Sequence, residues 1–128
     1  MPASARRRRL SPEREQAIFR ALERVDRECD RTARLGADPL GPVRRYVGAA
    51  NLEIAGLIGA CLAFGNAKAL RAKVCDVFDR LGPDLPAVLD DELDVFARLG
   101  GFKHRVYLGE DVARLAIGAR RVQRSYGS

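Results

Sequence analysis

Apolar residues recur along this chain at spacings of three and four, the period of an α-helix. Apart from a few residues near 102–107, no stretch reads as a strand. Ile18, Leu22, Val25 and Cys29 fall at intervals of 4, 3 and 4 on one stripe. Ser11-Pro12-Glu13 starts that helix, with an N-cap serine, a proline in the first helical position and an acid in the first turn. Gly36 is expected to end it. Asp38-Pro39-Leu40-Gly41-Pro42 is then expected to be a turn-rich connection, because two prolines and a glycine break a helix.

A second helix is predicted over residues 52–64, capped by Asn51, with Glu53 in its first turn where the dipole favours a carboxylate. The rest of it is apolar almost all round, which predicts the central helix of the domain. Gly56, Gly59, Ala60 and Ala63 leave room for neighbours to approach. A third helix over residues 67–81 carries Leu70, Val74, Val77 and Leu81 at intervals of 4, 3 and 4, and Gly82-Pro83-Asp84 stops it. Residues 85–91 read as a short helical turn. Residues 92–99 read as a short helix closed by Gly100-Gly101. The last helix spans 110–126, with Val112, Leu115, Ala119 and Val122 on its apolar side and Arg114, Arg121 and Arg124 opposite. No capping turn or polar tail follows, so a sequence cut inside a larger domain is expected. The fold class is therefore all-α: a small bundle of four or five helices around a central apolar one. Residues 1–10 form a basic arm expected to be disordered, and residues 11–128 one helical domain.

Composition narrows the partners. With 128 residues, 47% of them hydrophobic, the chain suits one folded domain. The net charge of +6 rests on 20 Arg and only 3 Lys. Arginine suits bidentate phosphate contacts, although a GC-rich genome also raises its use. The longest uncharged run, residues 54–67, is too short for a membrane span, which needs about 20 residues. The N-terminus has no apolar region behind its basic stretch and is no secretory signal. Cys29, Cys61 and Cys75 have no CxxC spacing. They read as reduced, mostly buried thiols of a cytoplasmic protein. With one histidine and no paired ligands, neither a metal nor another cofactor is expected.

Candidate chemistry lies in two cationic stretches. Gly65-Asn66 leads into a helix whose first turns carry Lys68, Arg71 and Lys73. A helix N-terminus offers unpaired N–H groups to anions and disfavours cations unless an anion arrives. The stretch predicts a phosphate contact; a solvated helix face is the alternative. Phe102-Lys103-His104-Arg105-Val106-Tyr107 interleaves bases and aromatics, as nucleic-acid contacts do. Its alternative is a loop anchored by Phe and Tyr, with Lys and Arg facing water. Lys103, His104 and Arg105 join the candidate nucleic-acid residues. Residues 6–9, four arginines, attract any polyanion or merely solubilise the chain. Glu53 reads as a dipole-paired residue, bridged to an arginine, or else a general base. Asp90, Asp91, Glu92 and Asp94 read as the acidic first turn of the short helix in preference to a metal site. No nucleophile pairs with His104, so no catalytic residue is assigned.

Two separate motifs carry a family resemblance. Asp38-Pro39 followed by Glu53-Ile54-Ala55-Gly56, Ala60 and Ala63-Phe64-Gly65 is one. Phe102-x-His104-Arg105-x-Tyr107 with Gly109-x-Asp111 is the other. In order and spacing, across residues 38–128, they resemble an uncharacterised bacterial family described only as a domain of unknown function. Its members are about twice this length by that resemblance, which implies a truncated chain and a missing C-terminal half. The chain also resembles the N-terminal half of helix-hairpin-helix DNA glycosylases, so an incomplete domain of that type is implied. Those enzymes insert a Gln from the comparable turn into the DNA stack; here Gly65 and Asn66 stand instead. The resemblance implies duplex DNA as partner through phosphate contacts. It also implies that the catalytic Lys and Asp lie beyond Ser128, leaving this chain inactive alone. A non-enzymatic module binding a protein partner or RNA, and a fragment without independent function, are the alternatives.

Overall fold

The computed structural model describes residues 10–38 and 40–128. The four arginines at 6–9 lie outside the described residues. By its internal contacts the chain divides into two compact units, Met1–Arg31 and Thr32–Ser128.

The first unit is built on α1 (Pro12–Glu28), which follows Ser11 and has Pro12 in its first position. Ser11 makes no side-chain cap bond; its carbonyl accepts from the Arg14 and Glu15 N–H groups instead. The apolar stripe forms as the spacing predicts, but Ile18, Leu22 and Val25 stay exposed and no residue of α1 is buried. The helix also ends earlier than expected. Cys29 turns extended, and a new helix, α2 (Arg31–Ala37), starts after Asp30 and carries Gly36 inside it. Asp26 and Glu28 crowd carboxylates at the α1 C-terminus, where the dipole disfavours them, and aspartate is a favoured residue before a helix start.

The second unit is all-α. A one-turn helix, α3 (Leu40–Val43), replaces the expected turn-rich connection and contains both Gly41 and Pro42. A proline is tolerated there because first-turn N–H groups have no intrahelical partner. Gly41 packs so closely on α2 that a β-carbon would lie 2.5 Å from the Leu35 carbonyl oxygen. The central helix is α4 (Ala49–Leu62), which starts after Gly48 rather than at Asn51. Asn51 lies inside it. Its amide donates to the Val47 carbonyl and accepts from Leu85 N–H, tying α4 to the segment that follows residue 84.

Around α4 pack α3, α5 (Ala67–Leu81), α6 (Leu85–Leu89) and α8 (Gly109–Tyr126), while α7 (Glu92–Arg98) bridges α5, α6 and α8. Ile54, Ala55, Ile58 and Leu62 of α4 meet Leu70, Val74, Val77, Phe78 and Leu81 of α5 in one core, which Val112, Ala113, Ala116 and Ile117 of α8 complete. Asp84 and Asp91 cap α6 and α7 through their carboxylates, each accepting from the N–H three residues on. The predicted strand residues form a minimal hairpin, β1 (Lys103–His104) and β2 (Tyr107–Leu108), with Lys103 opposite Leu108 and His104 opposite Tyr107. At the far end α8 does close, with the Gly127 N–H bonded to the Gln123 carbonyl, so the expected uncapped end is not what the structure has. No helix among the described residues is long and apolar enough to cross a membrane.

Candidate nucleic-acid interface

The two cationic stretches meet at the start of α5. The chain leaves α4 at Ala63, turns through Gly65 in the left-handed region (φ 109°) and enters α5 at Ala67. Asn66 is the N-cap. Its side-chain oxygen accepts from the Lys68 N–H at 3.0 Å and the Ala69 N–H at 3.2 Å. The turn was expected to offer unpaired N–H groups, but Asn66 already occupies two of them. An anion here is met by side chains.

Those side chains point in different directions. At about 3.6 residues per turn, Lys68 and Arg71 sit about 60° apart, with Lys73 about 140° to the other side of Lys68. Lys73 leans over the buried Phe102 ring, its Nζ 5.5 Å from the centroid. Arg71 runs towards α3, its Nε beside Gly41. Lys68 stays exposed at the first turn. The three cations therefore form no single face: Lys68 and Arg71 are neighbours, and Lys73 is tied to the core.

The hairpin brings the second stretch to the same place. Its side chains alternate: Phe102 and His104 are buried, whereas Lys103 and Arg105 are exposed. His104, counted among the candidate contacts, is 6% exposed and faces inward against Phe64, with its Nε2 lacking a hydrogen-bond partner. Arg105 opens the two-residue turn with φ 54°, the only positive φ outside glycine among the described residues. Such a turn demands positive φ at that position and normally takes Gly or Asn there. The Arg105 side chain returns across the α4–α5 turn. Its Cζ lies 5.3 Å from the Phe64 ring centroid. A β-carbon on Gly65 would lie 2.7 Å from Arg105 Nε and 2.8 Å from Cζ, so the guanidinium fills the space that glycine leaves. Phe64, absent from the sequence-based candidates, is the ring that joins them. It meets His104 and Tyr107 edge-on, each at 5.9 Å. Periodicity gives no signal for a pairing between residues 64 and 105; an aromatic beside the Gly-Asn turn is the only hint.

Ion pairing sorts the remaining arginines. Arg45 pairs with Asp79, Arg80 with Asp76, Arg98 with Asp94 and Arg114 with Glu110. Arg121 pairs with Glu92, and Asp90 holds Arg120 through both oxygens with Arg124 near by. The acidic cluster at 90–94 thus pairs with arginines of α7 and α8 and caps α7. The hydrogen bond from Arg120 holds the Asp90 carboxyl below its usual range, and Arg120 is raised in turn by Asp90. Among the described residues of this unit, Arg34, Arg44, Lys68, Arg71, Lys73, Lys103 and Arg105 have no carboxylate partner. Most of these are the cations of the two predicted stretches.

The other candidates resolve differently. Glu53 is bridged to Gln123, whose Nε2 donates at 2.8 Å, and not to an arginine. The cysteines are less buried than expected: Cys61 is exposed, Cys29 and Cys75 are intermediate, and all three are unpaired. No group of three or more His, Cys, Asp or Glu among the described residues is arranged to hold a metal.

The molecule is thus an all-α protein in which a short hairpin delivers an arginine to a helix–turn–helix junction. Residues 38–128 match the family described as Protein of unknown function (DUF2400), and the chain belongs to that family. No curated protein and no solved structure matches the chain.

Proposed function

We propose that this chain contacts nucleic acid, duplex DNA, through its backbone phosphates, as the N-terminal part of a glycosylase-like helical protein. The observation that carries the reading is the junction itself. Lys68 and Arg105, remote in sequence, come to one exposed turn without carboxylate partners, in a unit whose other arginines are mostly paired. Unpaired cations beside a helix start are stabilised when an anion binds. Arg71, on the same helix as Lys68, and Lys103, on the same hairpin as Arg105, are exposed and add further unpaired positive charge. The claim is phosphate contact, with no claim of base recognition: Gly65 and Asn66 stand where the resembled enzymes insert a Gln, and the Asn66 side-chain oxygen is already occupied as the N-cap. An enzyme of this kind would extrude a base and cleave its glycosidic bond; this chain's residues would supply grip, and the chemistry would come from a C-terminal half. Leu57 and Cys61, exposed on the apolar α4, and Phe64, exposed just past its end, support such a further half. The same reading has the protein working in the cytoplasm, a setting supported by three unpaired thiols.

Fluorescence anisotropy against a labelled duplex tests it. Binding should weaken steeply with salt and fall in Lys68→Glu/Arg71→Glu. A flat salt response, or unchanged affinity in that variant, refutes phosphate contact. The exposed Leu57, Cys61 and Phe64 also favour a second reading, a module that binds a protein partner, and a flat salt response is what that reading expects. Base release needs its own assay: a full-length relative incubated with lesion-bearing duplexes should leave abasic sites.

A further inference from the structure

We propose that Phe64 is a positioning residue for Arg105, holding its guanidinium over the α4–α5 turn so that the in-plane N–H edge meets one phosphate. The inference rests on the phosphate-contact reading above. Its basis is the contact of the guanidinium with the ring. Arg105 Cζ sits 5.3 Å from the Phe64 centroid, and Gly65 carries no β-carbon to displace it. A guanidinium over a ring keeps its donors in its own plane; Nε and Nη2 lie against Gly65, so the terminal Nη1–Nη2 edge is the fork left for a phosphate. No carboxylate takes that fork. Phe64 is itself braced edge-on by His104 and Tyr107, the residues that flank the hairpin turn. The hairpin so fixes both the backbone of Arg105, at φ 54°, and the platform under its side chain. Ordering the arginine before the ligand arrives removes an entropic cost from binding.

The test is a double-mutant cycle on the 128-residue chain, read by anisotropy with a labelled duplex at low salt. Phe64→Leu should weaken binding by about threefold, the factor that an exposed cation–π contact supports. Phe64→Tyr, which keeps the ring face, should restore it. In the Arg105→Ala background Phe64→Leu should have no further effect. Arg105→Lys keeps the charge, leaves Phe64 untouched and loses the planar stack, and should also bind more weakly than the wild type. An equal loss from Phe64→Leu in both backgrounds would mean that Phe64 touches the nucleic acid directly, and overturns the proposal. Wild-type affinity in Phe64→Leu or in Arg105→Lys overturns it too. If Arg105→Ala binds as the wild type while Lys68→Glu/Arg71→Glu does not, positioning fails and phosphate contact stands. If both bind as the wild type, both fail.

Discussion

Ion pairing makes the salt response expected of the junction's own cations countable. Lys68, Arg71, Lys103 and Arg105 have no carboxylate partner, and Lys73 is held over Phe102. If each of the four neutralises one phosphate, the slope of log affinity against log salt is about −3.6, at about 0.9 per contact. A rise from about 50 to about 200 mM salt then lowers affinity by about 150-fold. Replacing Lys103 and Arg105 by alanine halves the slope to about −1.8 and reduces the same loss to about 12-fold. Arg114 and Arg121 provide the control, since Glu110 and Glu92 already neutralise them. Their replacement by alanine removes just as many positive charges and should leave the slope near the wild-type value. The assay is anisotropy titration of each variant across a salt series. Equal slope changes from the paired and unpaired sets would refute the reasoning, because the attraction would then follow net charge and not these side chains.

Three further outcomes test the fold beneath the site. Ile58→Ala opens a cavity in the central helix at a fully buried position and should cost about 2–5 kcal/mol in urea unfolding. Its neighbour Leu57, 39% exposed, should cost well under half of that when truncated; similar losses would contradict the assigned helix face. Asn66→Ala removes the cap on Lys68 and Ala69 and should cost about 0.5–2 kcal/mol, whereas Asn66→Asp should retain most of the stability. Asp90→Asn breaks the forked pair with Arg120. Because the folded carboxyl titrates below its usual range, its contribution is present at neutral pH and disappears as pH falls through that lowered value. Wild-type and variant thermal midpoints should therefore differ near neutrality and converge in acid, and a constant gap would argue against the pair.

Much of the fold was legible in the sequence because helices are local objects. The apolar spacing marked α5 to the residue, and it marked the presence of α4, α7 and α8 to within a few residues at their ends. Asn66 and Gly82 bound α5 as their residue types predict. Local rules failed where tertiary packing outweighed a breaker. Gly41 and Pro42 sit in a helix because the first turn needs no N–H there and because α2 presses against Gly41. Gly48, and not Asn51, starts α4, since the Asn51 side chain is used to tether Leu85.

The candidate site divides along the same line. The sequence by itself determined which residue types could meet an anion and that they lay in two stretches. It also determined the all-α class and the central apolar helix. Only the tertiary structure decided that the stretches converge, that His104 turns inward, and that Lys73 lies over Phe102. It also decided that Arg120, Arg121 and Arg124 of α8 are consumed by the acids at residues 90 and 92. The physical reason is reach. Helix period and capping act within a few residues, whereas an ion pair or a stacked guanidinium depends on chain segments some 30 to 40 residues apart arriving at one place.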